Sequence, residues 1–172
     1  SPDLVLLNQI IADGLEATDT QAQYIPHVTG ETKMVLRNLA MKSKADIVLI
    51  EIGGTVGDYE NLFAMESGRE LIYEEGAQNA CLVNLTYILE PQHLGEFKSK
   101  AAQIGLKQLM GLGLQPDIIV CRSHTPITQS VKDKISMNAN VPVQDVFNTY
   151  DVDNIYRLPL LYREQGIDEA IL

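Results

Sequence analysis

The feature that most constrains this chain is an alternation between two kinds of stretch. Short aliphatic runs are separated by longer stretches with helical periodicity. "ADIVLIEI" (Ala45–Ile52) is β-branched and nearly continuous, as a strand covered on both faces has to be. "NACLVNLTYIL" (Asn79–Leu89) and "DIIVCR" (Asp117–Arg122) read the same way, and "VQDVFN" (Val143–Asn148) follows more weakly. Between them lie "GETKMVLRNLAMKSK", "YENLFAMESGRELIYEEG", "GEFKSKAAQIGLKQLMGLG" and "TPITQSVKDKISMNA", all with helical spacing. At the start, Ser1 and Pro2 stand as N-cap and first turn of a helix carrying Leu4, Leu7, Ile11 and Leu15 on one stripe. Strands alternating with helices imply an α/β fold of three layers, a mostly parallel sheet flanked by helices.

The 172 residues allow one well-buried core, and no repeat or linker divides them, so residues 1–172 are expected to form a single domain. No aliphatic run approaches the ~18 residues that span a bilayer, and no signal peptide is visible. A net charge of −10 argues against nucleic acid as a partner, since that binding rests on Lys and Arg neutralising phosphates. Nucleotides stay open, because a carboxylate can hold Mg²⁺ and the metal can hold phosphates. Cys81 and Cys121 each sit inside an aliphatic run without C-x-x-C spacing, which predicts buried, reduced thiols in a cytoplasmic protein. His27, His93 and His124 are too scattered for a metal triad and are expected to be structural or solvated.

One stretch does not suit a core strand or an ordinary turn. "IEIGGTVGDYEN" (Ile50–Asn61) carries Glu51 out of its aliphatics, passes three glycines, and resumes with Asp58 and Glu60. Ligands of open α/β sheets bind beyond the carboxyl ends of the strands, and Gly53, Gly54 and Gly57 allow close backbone approach there. Glu51 reads as a ligand-binding carboxylate, the alternative being a solvated strand end. Asp58 reads equally as a helix cap or as a group that accepts from hydroxyls or binds a metal. The loop is not a P-loop, since G-x-x-x-x-G-K-[ST] occurs nowhere in the chain. In "GEFKSKAAQI", Lys98 and Lys100 open a helix whose free N–H groups already favour anions, so they form either a phosphate site or a solvated face. Lys134 lies close to the apolar stripe of Ile127, Val131 and Ile135, and either snorkels outward or meets an anion.

"YIPHVTGETK", "IEIGGTVGDYEN", "GEFKSK..Q", "LGLQPDIIVCRS", "NANVP" and "YDVDNIYRLPLL" occur together from about Tyr24 onward. In this order and spacing the chain resembles the synthetase (amidoligase) domain of CTP synthase. The resemblance implies a P-loop-NTPase-like, dethiobiotin-synthetase-like architecture and a ligase that makes CTP from UTP, ATP and ammonia through a 4-phosphorylated uracil. It implies Mg²⁺ on Glu51, pyrimidine nucleotide recognition by Asp58, Tyr59 and Glu60, and a triphosphate segment of Lys98, Lys100 and Gln103 joined by Lys134. Lys98 and Lys100 would be the catalytic pair, and Tyr150, Asp151 and Val152 would border the adenine of ATP. UTP, CTP and ATP are the implied ligands, and a homo-oligomer, the family tetramer, is the implied assembly.

The chain departs from that family in several places. The family's P-loop segment and its glutaminase domain are absent, so the domain is expected to be incomplete at its N-terminus and inactive alone. The family's K-T-K-P-T-Q-H is here Lys98-Ser99-Lys100-Ala101-Ala102-Gln103-Ile104. A non-catalytic nucleotide-binding or assembly module built on the same fold is the alternative.

Overall fold

The computed structural model describes residues 23–91 and 96–172. The predicted helix over Ser1–Leu15, together with His93 and Gly95, lies outside the described residues. The chain divides into two compact units, 1–76 and 77–172.

In the first unit, helix α1 (Thr29–Ser43) and helix α2 (Leu62–Glu75) pack as a pair. Ion pairs join them. Lys33, almost buried, reaches Glu70 and meets Glu74 at 2.5 Å, while Arg37 bridges Glu74 and Glu75. The two carboxylates hold the Lys33 ammonium above the usual lysine range. α1 closes on Lys44 in the left-handed conformation, and the chain then runs without regular structure, through a bend at Asp46–Ile47, toward the glycine loop.

That irregular run corrects the first strand expectation. Ala45–Ile52 forms no strand: it pairs with no ladder among the described residues, and all of it but the part-buried Ile52 is exposed. Ile47 is 70% and Leu49 93% accessible. Aliphatic content gives a segment strand propensity, but the strand exists only where a neighbour takes its N–H and C=O groups.

The second unit carries the sheet, with strands β1 (Val83–Tyr87), β2 (Ile118–Arg122) and β3 (Val146–Thr149) side by side and all parallel. The crossovers are helix α3 (Lys100–Gly111) and helix α4 (Gln129–Ala139). The chain ends in helices α5 (Leu158–Gln165) and α6 (Ile167–Ile171), which the periodicity reading above did not single out. Pleat alternation sorts the core into two faces. Ile119, Cys121 and Val146 join Ala102, Leu106, Val131, Ile135 and Ala139 of α3 and α4 on one face. Ile118, Val120 and Phe147 meet Tyr162 and Ile167 from α5 and α6 on the other. The expected three-layer α/β architecture is therefore present, around a three-stranded parallel sheet.

The cysteine expectation needs one correction. Cys121 is buried within β2, where desolvation pushes its thiol up to about 12, but Cys81 is exposed. Cys81 precedes β1, outside the covered part of the sheet, and so its aliphatic neighbours in sequence do not enclose it.

Candidate functional site

In the first unit the glycine loop is built by short polar bonds. The backbone amide of Thr55 donates to Asp58 Oδ2 at 3.0 Å, and Asp58 N donates back to the Thr55 carbonyl at 3.1 Å. Asn61 Nδ2 donates to the Gly53 carbonyl at 2.7 Å. Gly54 (φ +84°) is required here, because a Cβ at that position would stand 2.4 Å from Asn61 Nδ2. Asp58 precedes a single 3₁₀ turn, Tyr59–Asn61, without capping it, so its carboxylate braces the loop and not the helix. Tyr59 projects 92% exposed beside it, while the side chain of Glu60 lies outside the described residues.

Glu51 is exposed in this irregular segment rather than at a strand end. Its carboxylate lies over Gly53, where a Cβ would stand 3.4 Å from Oε1. No group of three or more His, Cys, Asp or Glu side chains suited to a metal exists among the described residues. Mg²⁺ in nucleotide enzymes takes only one or two carboxylates and completes its shell with water and phosphate oxygens. A free glutamate oxygen on a glycine loop fits that donor set.

In the second unit the polar residues gather at the carboxyl end of the sheet. Segment Glu96–Lys98 returns along β1, with Lys98 N donating to the Leu89 carbonyl at 2.7 Å in an isolated antiparallel bridge. Lys98 Nζ meets Glu96 at 2.9 Å. That lysine, with Lys134 of α4 adding its field, holds the Glu96 carboxyl below the usual range. Lys98 pairs directly with that carboxylate, whereas Lys134, far away in sequence, acts on it only through its field. Lys134 is exposed, so it leaves the apolar stripe as a snorkelling lysine would. Lys100, exposed, is the first residue of α3. Gln103, one turn on, donates through Nε2 to Ser99 Oγ at 3.0 Å and accepts through Oε1 from Asn138 of α4 at 3.5 Å.

Beyond β3, Tyr150, Asp151 and Val152 are tied to the end of β2. Ser123 N donates to the Thr149 carbonyl at 2.9 Å, and Asp151 N donates to the His124 carbonyl at 3.2 Å. The Asp151 carboxylate bridges His124 Nδ1, at 2.6 Å, and the Arg122 guanidinium. These two hold it below the ordinary aspartate range, His124 contributing most. Nearby, Glu90 accepts from the Thr125 hydroxyl at 2.8 Å and from its amide at 3.3 Å. Sequence reasoning missed Arg122 and took His124 as solvated or structural. The available signal was an arginine ending an aliphatic strand, where parallel sheets place their ligands.

Comparison with known proteins adds a family. The model described as "CTP synthase N-terminus" matches residues 16–172. The CTP synthase of Methanopyrus kandleri is 46% identical over 149 residues, 87% of this chain and 28% of that protein. That of Methanosphaera stadtmanae is 43% identical over 150 residues, and that of a Hydrogenobaculum species 46% over 151, with the same coverage of each chain. The chain therefore spans little more than a quarter of the length of the curated relatives it matches.

Proposed function

Since the chain belongs to the CTP synthase N-terminus family, we propose that it serves as the synthetase part of a CTP-forming ligase, with residues 1–172 constituting one amidoligase-like domain. The observation that carries this reading is the placement of Lys98 and Lys100 at the start of α3, beyond the carboxyl end of β1. Lys98 and Lys100 at that helix N-terminus, in a chain of net charge −10, concentrate positive potential where a triphosphate would lie.

The reaction proposed is ATP-dependent amination of UTP. The γ-phosphoryl group of ATP passes to uracil O4 and ADP leaves. Ammonia then adds at C4, the phosphate departs with O4, and the lost proton leaves the new amino group as that of CTP. Phosphoryl transfer of this kind depends on positioning and charge neutralisation, with no covalent enzyme nucleophile. Lys98 and Lys100 would neutralise the transferred phosphoryl group, and Gln103 and Lys134 would hold the pyrimidine triphosphate. Asp58, Tyr59 and Glu60 would recognise the base of UTP or of the product CTP. Tyr150, Asp151 and Val152, fixed by Arg122 and His124, would border the adenine. Glu51 would hold Mg²⁺, which when bound shields the phosphate charges from one another. A homo-oligomer in the cytoplasm is the assembly and place that suit this role, and ligase is the enzyme class.

The test is calorimetric titration of the chain with UTP, CTP and ATP in Mg²⁺, beside Lys98→Ala. Saturable UTP and CTP binding that Lys98→Ala weakens at least ten-fold is expected, the loss of about 1.5–3 kcal/mol that follows removal of a charged hydrogen-bond donor. A folded chain that binds none of the three nucleotides refutes the reading.

A further inference from the structure

Helix α4 turns Val131, Ile135 and Ala139 into the core, and Asn138 shares that stripe at helical spacing. A polar side chain there is out of place by the pattern that built the helix. It is also incompletely satisfied. Asn138 Nδ2 reaches Gln103 Oε1, yet Asn138 Oδ1 is buried with no hydrogen-bond partner, the single such side-chain atom among the described residues. Reversing the carboxamide would leave its NH₂ orphaned instead, so the defect belongs to the residue and not to one rotamer. Buried acceptors are paired in the great majority of cases, and an apolar side chain of similar volume would remove the penalty.

What Asn138 does have is its one contact, and that contact falls on a residue of the proposed triphosphate segment. Gln103 is held at both ends of its carboxamide: Oε1 accepts from Asn138 and one Nε2 hydrogen goes to Ser99 Oγ at 3.0 Å. With Oε1 turned toward Asn138 and one Nε2 hydrogen on Ser99, the second Nε2 hydrogen is the donor Gln103 can offer a ligand. A glutamine free to rotate would present oxygen as readily as nitrogen, and its oxygen would repel a phosphate or a base carbonyl.

We propose that Asn138 is a positioning residue for Gln103, holding its carboxamide so that Nε2–H faces an acceptor oxygen of a pyrimidine nucleoside triphosphate. This rests on the nucleotide reading above and adds to it the residue that orients one of its contacts. The bond is long, so the effect is a partial loss of affinity.

The test is Asn138→Leu in the full chain, read three ways. Thermal melting is expected at or above the wild-type temperature, because the orphaned oxygen is gone. The Gln103 side-chain amide signals in ¹H–¹⁵N spectra, identified by their absence in Gln103→Met, are expected to move toward those of a free carboxamide. Dissociation constants for UTP and CTP are expected to rise about three- to ten-fold, the range of one neutral hydrogen bond, with ATP unaffected. Unshifted Gln103 signals, unchanged UTP and CTP affinity, or a lower melting temperature each overturn the proposal. Wild-type chain that binds neither UTP nor CTP sinks the nucleotide reading and this inference with it. Intact wild-type binding with no response to Asn138→Leu sinks the inference alone.

Discussion

Asn148 is the residue whose removal should unfasten the carboxyl end of the sheet. It is 4% exposed in β3 and uses both ends of its side chain. Nδ2 donates to the Cys121 carbonyl at 2.7 Å and to Ser123 Oγ at 2.9 Å, while Oδ1 accepts from Ile127 N at 2.9 Å. Its own backbone is taken by Gln165, which accepts from Asn148 N at 2.9 Å and donates to its carbonyl at 2.8 Å. One side chain therefore joins β2, β3 and the segment leading into α4. Asn148→Ala strands the buried Ile127 amide and removes the partner of Cys121 and Ser123. An orphaned buried group costs about 1–3 kcal/mol, and the small cavity adds to it, so a loss of about 3 kcal/mol is expected.

Cys121 supplies the assay, since its thiol lies in β2 next to this network and is buried and unreactive in the closed state. Labelling by a disulfide reagent in native buffer then reports opening of this unit. A loss of about 3 kcal/mol raises the open population on the order of a hundred-fold, and the Cys121 labelling rate with it where opening is in rapid equilibrium. Asn148→Asp sharpens the test. Its carboxylate keeps an acceptor for Ile127 but turns oxygen against the Cys121 carbonyl, and protonation restores a donor. The buried carboxyl has a folded-state affinity for protons above the unfolded one, so this variant should gain stability as pH falls toward the carboxyl range. A Cys121 labelling rate within three-fold of wild type in Asn148→Ala would show that water or a shifted backbone replaces the bonds, and the reasoning fails.

Three further outcomes follow from other sites. Gly54→Ala must adopt φ +84° and displace Asn61, so a loss of about 1–3 kcal/mol is expected, read by urea denaturation, with weakened pyrimidine nucleotide binding read by calorimetry. Lys33 is held above its usual range by Glu70 and Glu74, so its stabilising effect is complete below the unfolded lysine value and fades as pH rises through the folded one. Alkaline titration followed by circular dichroism should show helix loss that Lys33→Met no longer displays. In native buffer Cys81 should label first and Cys121 only on opening; equal rates would contradict the burial of β2.

The parts of this structure legible in the sequence are those that local pattern decides. β2 falls almost where "DIIVCR" places it, because a parallel strand covered on both faces has to be continuously apolar. α3 and α4 follow from their stripes for the same reason. α5 carried readable punctuation, Pro159 in its first turn and Gly166 at φ +81° past its end, but was read only as part of a motif. "ADIVLIEI" failed because a ladder needs a neighbour, which composition cannot supply. The site divides along the same line. Lys98 and Lys100 could be placed at a helix start from spacing alone, whereas the field that Lys134 adds at Glu96, beside the Lys98 ion pair, depends on a crossover and on how α3 packs against α4. Asn138 could have been found beforehand. A polar residue on a core stripe breaks the rule that places its neighbours, and such violations concentrate where stability yields to function. The distinction between a core defect and a positioning group then rests on the partner: Asn148 is polar, buried and fully bonded, so its loss should cost stability; Asn138 is polar and part-buried, with its Oδ1 buried and unbonded, so its loss should cost affinity.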